Sequence, residues 1–174
     1  NLGDLVLNQE SSLSVLLNTN ILKGNITNNG TFTSSALFVN EGTYSNENTS
    51  LFLNQIEVKK GELINNGDIT AISIDIKEGV VSGTGRFITG RFTSEGSISP
   101  GSQTNQIATL TFSSLLESKG DLLIDLNNNN ESDFIKTIKF KIGGTLTLNP
   151  VDTFYSGNSK FNIMNFEEIE GQTF

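Results

Sequence analysis

The residues that could do chemistry in this chain are its carboxylates, because it contains no histidine and no cysteine. That composition excludes disulfides, thiolate chemistry, the usual zinc sites and every histidine-dependent catalytic triad. A serine-protease site is excluded as well, since no Gly-Asp-Ser-Gly motif is present. What remains is carboxylate-based cleavage of a glycan, which needs two or three acidic groups converging in a groove.

The acidic residues that such a site would use are Glu62, Asp68 and Asp75, which lie in one copy of an internal repeat. The matching positions of the other copy hold Asn25, Thr31 and Phe38. The sequence therefore predicts no stack of acidic side chains. We expect no enzymatic activity, no catalytic residue and no cofactor.

Residues 125–129 begin like a calcium-binding loop, with side-chain oxygens at alternate positions. The sixth position is Asn130 instead of glycine, and the twelfth is Lys136 instead of glutamate, so the bidentate ligand is missing. We therefore interpret this segment as a polar loop in which Asp133 caps a turn, and we predict no metal site.

The elements that must position these side chains follow from the internal repeat. Residues 23–45 and residues 60–82 align without a gap at an offset of 37, with KG, NNG and EG steps in common. Glycines divide the chain at intervals of 17 to 19 residues and then of 24: Gly24, Gly42, Gly61, Gly79, Gly96, Gly120 and Gly144. A fixed period is typical of stacked repeats, so we predict one solenoid coil per interval, with longer coils or inserted loops after Gly96.

Alternating apolar residues predict the strands of these coils. We expect Ile72, Ile74 and Ile76 to face a core. The same is expected of the alternating apolar residues of the first coil: Leu5, Leu7, Leu13, Val15 and Leu17. The Asn54-Gln55 step indicates a bend within its strand. Later strands are predicted at residues 110–112, 122–126, 138–142, 145–148 and 161–166.

The Asn-Asn-Gly steps at residues 28–30 and 65–67 predict turns, because asparagine and glycine accept a positive φ. Hairpin turns would also fit these steps. The even spacing of the glycines favours parallel coils, in which asparagine side chains hydrogen-bond to one another along the axis.

Arg86 and Arg91 each stand between a glycine and a phenylalanine. Either they form a small binding patch, or they are the outward neighbours of inward Phe87 and Phe92. Bulky residues gather towards the C-terminus: Phe140, Phe154, Tyr155, Phe161, Phe166 and Phe174. Such residues suit a cap, which must cover an open core and an unpaired sheet edge.

Composition limits the partners. The net charge is −8 and the isoelectric point about 4.5, which argues against nucleic acid or an anionic membrane surface. No apolar run approaches the length of about 18 residues that a membrane helix needs. The chain begins within a strand pattern and without the features of a signal peptide, so we interpret it as part of a longer protein.

An ordered series of phrases after Gly79 carries a family resemblance. SGTG at residues 82–85, GSISPGS at 96–102 and IATLT at 107–111 are followed by GTLTL at 144–148 and FNIM at 161–164. The series resembles the C-terminal part of autotransporter (type V secretion) passenger domains, although Ile107-Ala108 stands where the family has a glycine. The resemblance implies a right-handed parallel β-helix, export through the outer membrane and a C-terminal portion that promotes folding.

The sequence thus predicts an all-β protein, a right-handed parallel β-helix (solenoid) of about nine coils with a C-terminal cap. Residues 1–99 would form regular coils, and residues 100–174 the C-terminal coils and the cap. The expected function is a structural stalk and folding-nucleating segment of a bacterial cell-surface or secreted passenger, an adhesin or toxin. Its partners would be its own membrane barrel and the outer-membrane assembly machinery.

The alternative function is direct binding of a host glycan or protein along one face of the solenoid. Exposed aromatic side chains at Phe38 or Tyr44 would favour this alternative, as would ladders of asparagine.

Overall fold

A computed structural model of the chain describes residues 4–47, 50–101, 106–152 and 159–171. These residues form strands and no helix. The strands are β1 Asp4–Leu7, β2 Ser12–Ile21, β3 Asn25–Asn28, β4 Thr31–Val39, β5 Thr43–Asn46, β6 Ser50–Val58, β7 Glu62–Asn65, β8 Asp68–Ile76, β9 Val80–Gly83, β10 Arg86–Ser94, β11 Ser97–Pro100, β12 Thr109–Phe112, β13 Leu115–Ser118, β14 Leu122–Leu126, β15 Phe134–Lys136, β16 Lys139–Ile142, β17 Leu146–Pro150, β18 Met164–Asn165 and β19 Glu168–Gly171.

The strands build two parallel sheets that alternate along the chain. The first, the short-strand sheet, has eight strands in the order β1-β3-β5-β7-β9-β11-β14-β17. The second, the long-strand sheet, has eleven strands and contains β2, β4, β6, β8 and β10 in sequence order. Each coil contributes one strand to the short-strand sheet and then crosses to the other. The predicted parallel β-helix is confirmed, with eight coils in the described residues rather than about nine.

The long strands bend in the middle, and the bend changes which residues face inward. In β8, Ile69 and Ala71 face the core before the bend, and Ile74 and Ile76 after it. Ile72 lies at the bend and is 70% exposed, so the expectation that it faces the core is wrong. The period of two holds only within each straight segment, since the corner inserts a residue between the two inward sets. The bend predicted in β6 is confirmed by the exposed Asn54 and Gln55 between buried residues.

The first coil departs from its prediction for a related reason. The pairing of β2 with β4 shifts register between Val15 and Asn18. This irregularity turns Leu16 and Leu17 outward, where they are 92% and 77% exposed. Leu5 in β1 is also exposed, so the expected inward positions of Leu5 and Leu17 are wrong, whereas Leu7 is buried.

The regularly spaced glycines form a column at one corner of the helix. A Cβ atom added at Gly42 would overlap the carbonyl oxygen of Gly24, and one added at Gly61 would overlap that of Gly42. The same relation continues through the remaining glycines: Gly79, Gly96, Gly120 and Gly144. The corners of successive coils pack backbone to backbone, which only glycine permits. One coil per glycine interval is therefore confirmed.

A ladder of buried asparagines lies at the ends of three neighbouring short strands. Asn28 Nδ2 donates to Asn46 Oδ1 at 3.1 Å, and Asn46 Nδ2 donates to Asn65 Oδ1 at 3.0 Å. The ladder ends where Gly83, with a φ of +114°, takes the next position, and Asn65 Nδ2 donates to the Arg86 carbonyl instead. The predicted ladder is confirmed, and Asn46 is a member that the Asn-Asn-Gly pattern did not indicate.

The C-terminal coils are longer because loops are inserted and the long strand is divided. The bend in the middle of the long strand becomes a break after β10, so that β10 pairs with two shorter strands, β12 and β13. The intervals between β11 and β12 and between β14 and β15 are longer than the corresponding intervals in earlier coils. β14 lies where it was predicted, and β12, β16 and β17 agree within a few residues, whereas β13, β15 and β19 were not predicted.

The end of the core is covered by residues from the last coil. Phe140 is fully buried, and Phe161, Ile163 and Met164 pack against the core as partly buried side chains. Phe166 is 37% exposed and lies 6.3 Å from Phe140 between ring centroids. Phe154, Tyr155 and Phe174 lie outside the described residues.

Candidate functional site

The acidic residues that the sequence singled out lie on two different faces. Glu62 belongs to β7 in the short-strand sheet, and Asp68 and Asp75 belong to β8 in the long-strand sheet. Asp68 is held by Arg86 of the next coil through two bonds, at 3.2 Å from Nε and 2.8 Å from Nη2. These three carboxylates therefore do not converge.

A row with acidic residues in three of four coils nevertheless exists, although the sequence predicted no stack of acidic side chains. Glu57 pairs with Asp75, Asp75 with Thr93, and Thr93 with Glu117 along the long-strand sheet. The offset of 37 residues spans two coils, so comparing Asp75 with Phe38 skipped Glu57 in the coil between them. A comparison at the single-coil spacing would have found the row.

Basic side chains neutralise much of this row. Lys77 Nζ lies 2.8 Å from Asp75, and Glu117 is contacted by Lys141 at 3.2 Å, Lys119 at 3.7 Å and Arg91 at 3.8 Å. The hydrogen bond with Lys141 is the main reason why the pKa of Glu117 is lowered. A carboxylate held ionised by three cations is a poor general acid, so we interpret the row as a structural contact between coils.

Arg86 and Arg91 are outward neighbours of core residues, the second of the two alternatives. Phe87 and Phe92 are fully buried, and their ring centroids lie 5.1 Å apart. With both guanidinium groups engaged by carboxylates of adjacent coils, the structure gives them no shared patch.

The segment that begins like a calcium loop is organised by its own side chains. Asn127 Oδ1 accepts from the backbone N–H groups of Asn129 and Glu131, and Asn130 has a φ of +63°. No group of three or more acidic residues that could hold a metal occurs among the described residues. Lys136 is exposed in β15.

Asp133 links two of the inserted loops. Its buried carboxylate accepts from the N–H of Ala108 through Oδ1 and from the N–H of Asp125 through Oδ2, both at 2.9 Å. Burial raises the pKa of Asp133 to about 6, although the two N–H donors oppose the shift. Instead of capping a turn, as predicted, the Asp133 carboxylate joins residues 106–108 to β14 through these two hydrogen bonds.

Tyr44 is a core residue and offers no exposed ring to a ligand. Its side chain is fully buried and lies 5.7 Å from Phe32 between ring centroids, and burial raises its pKa. Phe38 is only partly exposed. Tyr44 therefore does not supply the exposed aromatic side chain that would have favoured a ligand-binding face.

The short-strand sheet carries a groove that the sequence did not predict. It has a volume of about 440 Å³ and is lined by side chains of five successive short strands: Glu62, Val80, Ser82, Ser99, Leu123, Asp125, Thr147, Leu148 and Asn149, together with Gly101. Pairing between β11 and β14 is confined to Ile98 and Leu122, whereas β9 pairs with β11 at four positions and β14 with β17 at five. The two strands separate beyond Ile98, which opens the groove.

The only signal of this groove in the sequence is a compositional one. The eight short strands contain no lysine or arginine, and the change of coil length falls between β11 and β14. Neither observation indicates a cavity until the strands are placed side by side.

Two further findings concern the whole chain. Among the described residues there is no apolar helix long enough to cross a membrane. Comparison of the chain with protein-family models, with curated proteins and with solved structures gives no match.

Proposed function

We propose that this chain is a structural stalk, and that its C-terminal coils and cap nucleate folding of the passenger domain of a bacterial autotransporter. The passenger would be an adhesin or toxin that is displayed on the cell surface or secreted. Any adhesive or toxic activity would lie mainly in other parts of the same protein.

The observation that carries the proposal is the uninterrupted core. One cluster of buried apolar side chains runs from Leu7 in β1 to Phe140 in β16 and includes residues from every coil in between. Each buried aliphatic or aromatic side chain contributes about 1.5–3 kcal/mol, and each coil gains this energy only by packing on its neighbours. A continuous core of this kind would hold the chain in an elongated form, which is what a stalk requires.

Three features of the C-terminal coils support a nucleating role. Phe112 packs against both Phe87 and Phe92, with ring centroids 5.3 and 4.7 Å apart, where the long strand first divides. Asp133 ties two loops together, and Lys139 contacts Glu168 and Glu170 of the last coil at 3.0 and 3.1 Å. Each of these features joins neighbouring coils, as the contacts of a folding nucleus would.

The autotransporter assignment rests on the phrases in residues 82–164. It would make the protein's own membrane barrel and the outer-membrane assembly machinery its partners. Antibodies raised against the chain should then label intact cells of the source bacterium, and labelling that requires permeabilised cells would exclude surface display.

The nucleating role can be tested in the intact chain with one substitution at each end. Phe140→Leu in β16 and Phe32→Leu in β4 remove similar bulk from fully buried sites. We expect Phe140→Leu to slow refolding several-fold, and Phe32→Leu mainly to accelerate unfolding, because contacts in the nucleus control the folding rate. Stopped-flow refolding and unfolding in urea measure both rates.

The opposite pattern would overturn the nucleating role. If Phe32→Leu slows refolding while Phe140→Leu acts only on unfolding, folding begins in the N-terminal coils. The stalk itself would be excluded if small-angle scattering of the intact chain showed a compact particle instead of a rod.

A further inference from the structure

The groove on the short-strand sheet differs chemically from the surface of the long-strand sheet. Its two carboxylates are bound by neutral groups: Ser82 Oγ donates to Glu62 Oε1 at 3.1 Å, and Asn149 Nδ2 donates to Asp125 Oδ1 at 2.6 Å. On the long-strand sheet, by contrast, Asp68, Asp75 and Glu117 are bound by lysine or arginine.

The lining contains several groups that can donate or accept hydrogen bonds. Ser82, Ser99 and Thr147 supply hydroxyls, and Asn149 supplies an amide. Val80, Leu123 and Leu148 supply apolar surface, so the groove is lined by both polar and apolar side chains. The volume of about 440 Å³ lies within the usual range of about 300–1,000 Å³ for ligand sites.

We propose that this groove binds a neutral saccharide chain. Sugar hydroxyls would donate to Glu62 and Asp125 as Ser82 and Asn149 already do, and would exchange hydrogen bonds with the serine and threonine hydroxyls. The apolar faces of the sugar rings would lie on Val80 and Leu123. The groove crosses five strands, about 19 Å at the spacing of parallel strands, which suits a chain of several rings.

The charge of the groove excludes anionic ligands. Anionic ligands such as uronates, sulfated sugars and phosphates would meet two carboxylates and no basic side chain among the lining residues. A single metal ion is excluded as well, because Glu62 and Asp125 stand three strands apart, about 14 Å at the usual spacing. This proposal is independent of the stalk function, since a folding experiment can fail without affecting binding.

The test uses the intact chain and defined probes. Neutral linear trisaccharides of glucose, mannose, galactose and N-acetylglucosamine are titrated by calorimetry and by saturation-transfer NMR. Trigalacturonic acid and spermidine serve as anionic and cationic counter-probes. We expect at least one neutral trisaccharide to bind with a Kd of about 0.1–5 mM, since a shallow polar groove gives modest affinity, and neither counter-probe to compete with it.

Two variants locate the bound sugar. Ser99→Tyr fills the groove and should abolish binding, whereas Thr70→Tyr places the same ring on the long-strand sheet and should leave binding unchanged. If Ser99→Tyr does not fold, the double variant Glu62→Gln with Asp125→Asn decides, since it keeps side-chain shape and should weaken binding at least fivefold.

The proposal is overturned if the folded chain binds none of the neutral trisaccharides. It is also overturned if binding survives Ser99→Tyr, if the double variant binds as tightly as the wild type, or if spermidine or trigalacturonic acid occupies the groove in preference to the neutral sugars.

Discussion

At the scale of the residue, close contact between backbones fixes which side chains are allowed. The glycine column leaves no room for a Cβ atom, because the carbonyl oxygen of the preceding coil lies where that atom would be. The asparagine ladder is equally specific, since only a side chain with both a donor and an acceptor can pass hydrogen bonds from coil to coil. Residue identity at these positions sets the register of the coils.

Gly61→Ala should therefore destabilise the protein by about 2–4 kcal/mol, the range of a steric clash that the backbone must relieve. The backbone at Gly61 does not have the positive φ that disfavours other residues, so the expected destabilisation comes from the steric clash alone. The matched control is Gly90→Ala, because a Cβ there meets only the Ile72 carbonyl oxygen, at 3.2 Å. Gly90→Ala should be neutral or slightly stabilising.

Thermal unfolding followed by circular dichroism compares the two variants. A loss of about 2–4 kcal/mol corresponds to a drop in Tm of roughly 5–15 °C for a chain of this length. Equal melting temperatures for Gly61→Ala and Gly90→Ala would show that the column tolerates a methyl group and would contradict the packing described above.

The sequence predicted these backbone contacts better than it predicted individual exposures. Glycine spacing indicates the coils directly, since the glycine is required once in every coil. The exposure of Ile72 could not be predicted in the same way, because a bend of one residue reverses the inward and outward positions that follow it. The row containing Glu57 was missed because the repeat of 37 residues spans two coils. Comparing its two copies leaves out the residues of the coil between them.

At the scale of the element, the C-terminal loops are held by one buried carboxylate. Asp133 binds the N–H of Ala108 and the N–H of Asp125, so removing it frees both loops together. Burial raises its pKa to about 6 from 3.8, with repulsion from the Asp125 carboxylate adding to the shift. The folded state therefore binds a proton more tightly than the unfolded state does.

This pKa gives a pH dependence with a definite sign. The contribution of Asp133 to the free energy of unfolding should increase as the pH falls from 7 through 6, and be complete below the unfolded pKa of 3.8. Glu117 has the opposite sign, because its lowered pKa gives stability that is lost as the pH falls below 4.5. A variant at Asp133 is needed to separate the pH dependence of stability that comes from Asp133 from the one that comes from Glu117.

Asp133→Asn should thus be less stable than the wild type, and the gap should widen by about 1–3 kcal/mol between pH 7 and pH 4. Urea unfolding at both pH values measures the gap. Glu131→Gln is the control, because Glu131 is exposed in the same loop and bonded to Asn127. A gap that stays constant with pH would mean that Asp133 titrates normally in the folded protein.

Strands whose own residues carry a clear apolar pattern could be predicted from the sequence. Strands whose pairing depends on the neighbouring coil could not. β14 was predicted from its own sequence, since four of its five residues are leucine or isoleucine. β13, β15 and β19 are three or four residues long, and their pairing depends on the coil beneath them. The groove was not predictable because it arises where β11 and β14 separate, which is a property of the pair and not of either strand.

At the scale of the whole molecule, the two sheets present different surfaces. The short-strand sheet has no basic residue in its strands, whereas the long-strand sheet contains Arg86, Arg91, Lys136, Lys139 and Lys141. Exposed ion pairs such as those on the long-strand sheet contribute little individually, about 0–1 kcal/mol, but their alternation from coil to coil disfavours a shifted register. The charged residues of the short strands are all acidic, Asp4, Glu62 and Asp125, and the groove lies on this sheet.

Stacking of equivalent coils predicts that a whole coil can be removed. Deleting residues 61–78 joins Lys60 to Gly79, which occupies the same corner as Gly61. Asn46 would then meet the coil that Asn65 meets now, where the Arg86 carbonyl accepts a hydrogen bond at 3.1 Å. We expect a folded protein that unfolds cooperatively, with a urea m-value lower by about one-tenth, in proportion to the 18 of 174 residues removed.

The matched control removes half of the same coil. Deleting residues 61–69 leaves the corner without its glycine and sets the remainder of β8 against the wrong part of β6, so the apolar face no longer meets the core. That protein should be unfolded or aggregated in the same far-UV circular dichroism and urea experiments. If both deletions fold equally well, register does not depend on the coil as a unit; if both unfold, coils 61–78 and 79–95 are not interchangeable neighbours, and the nearest-neighbour description of this solenoid is wrong.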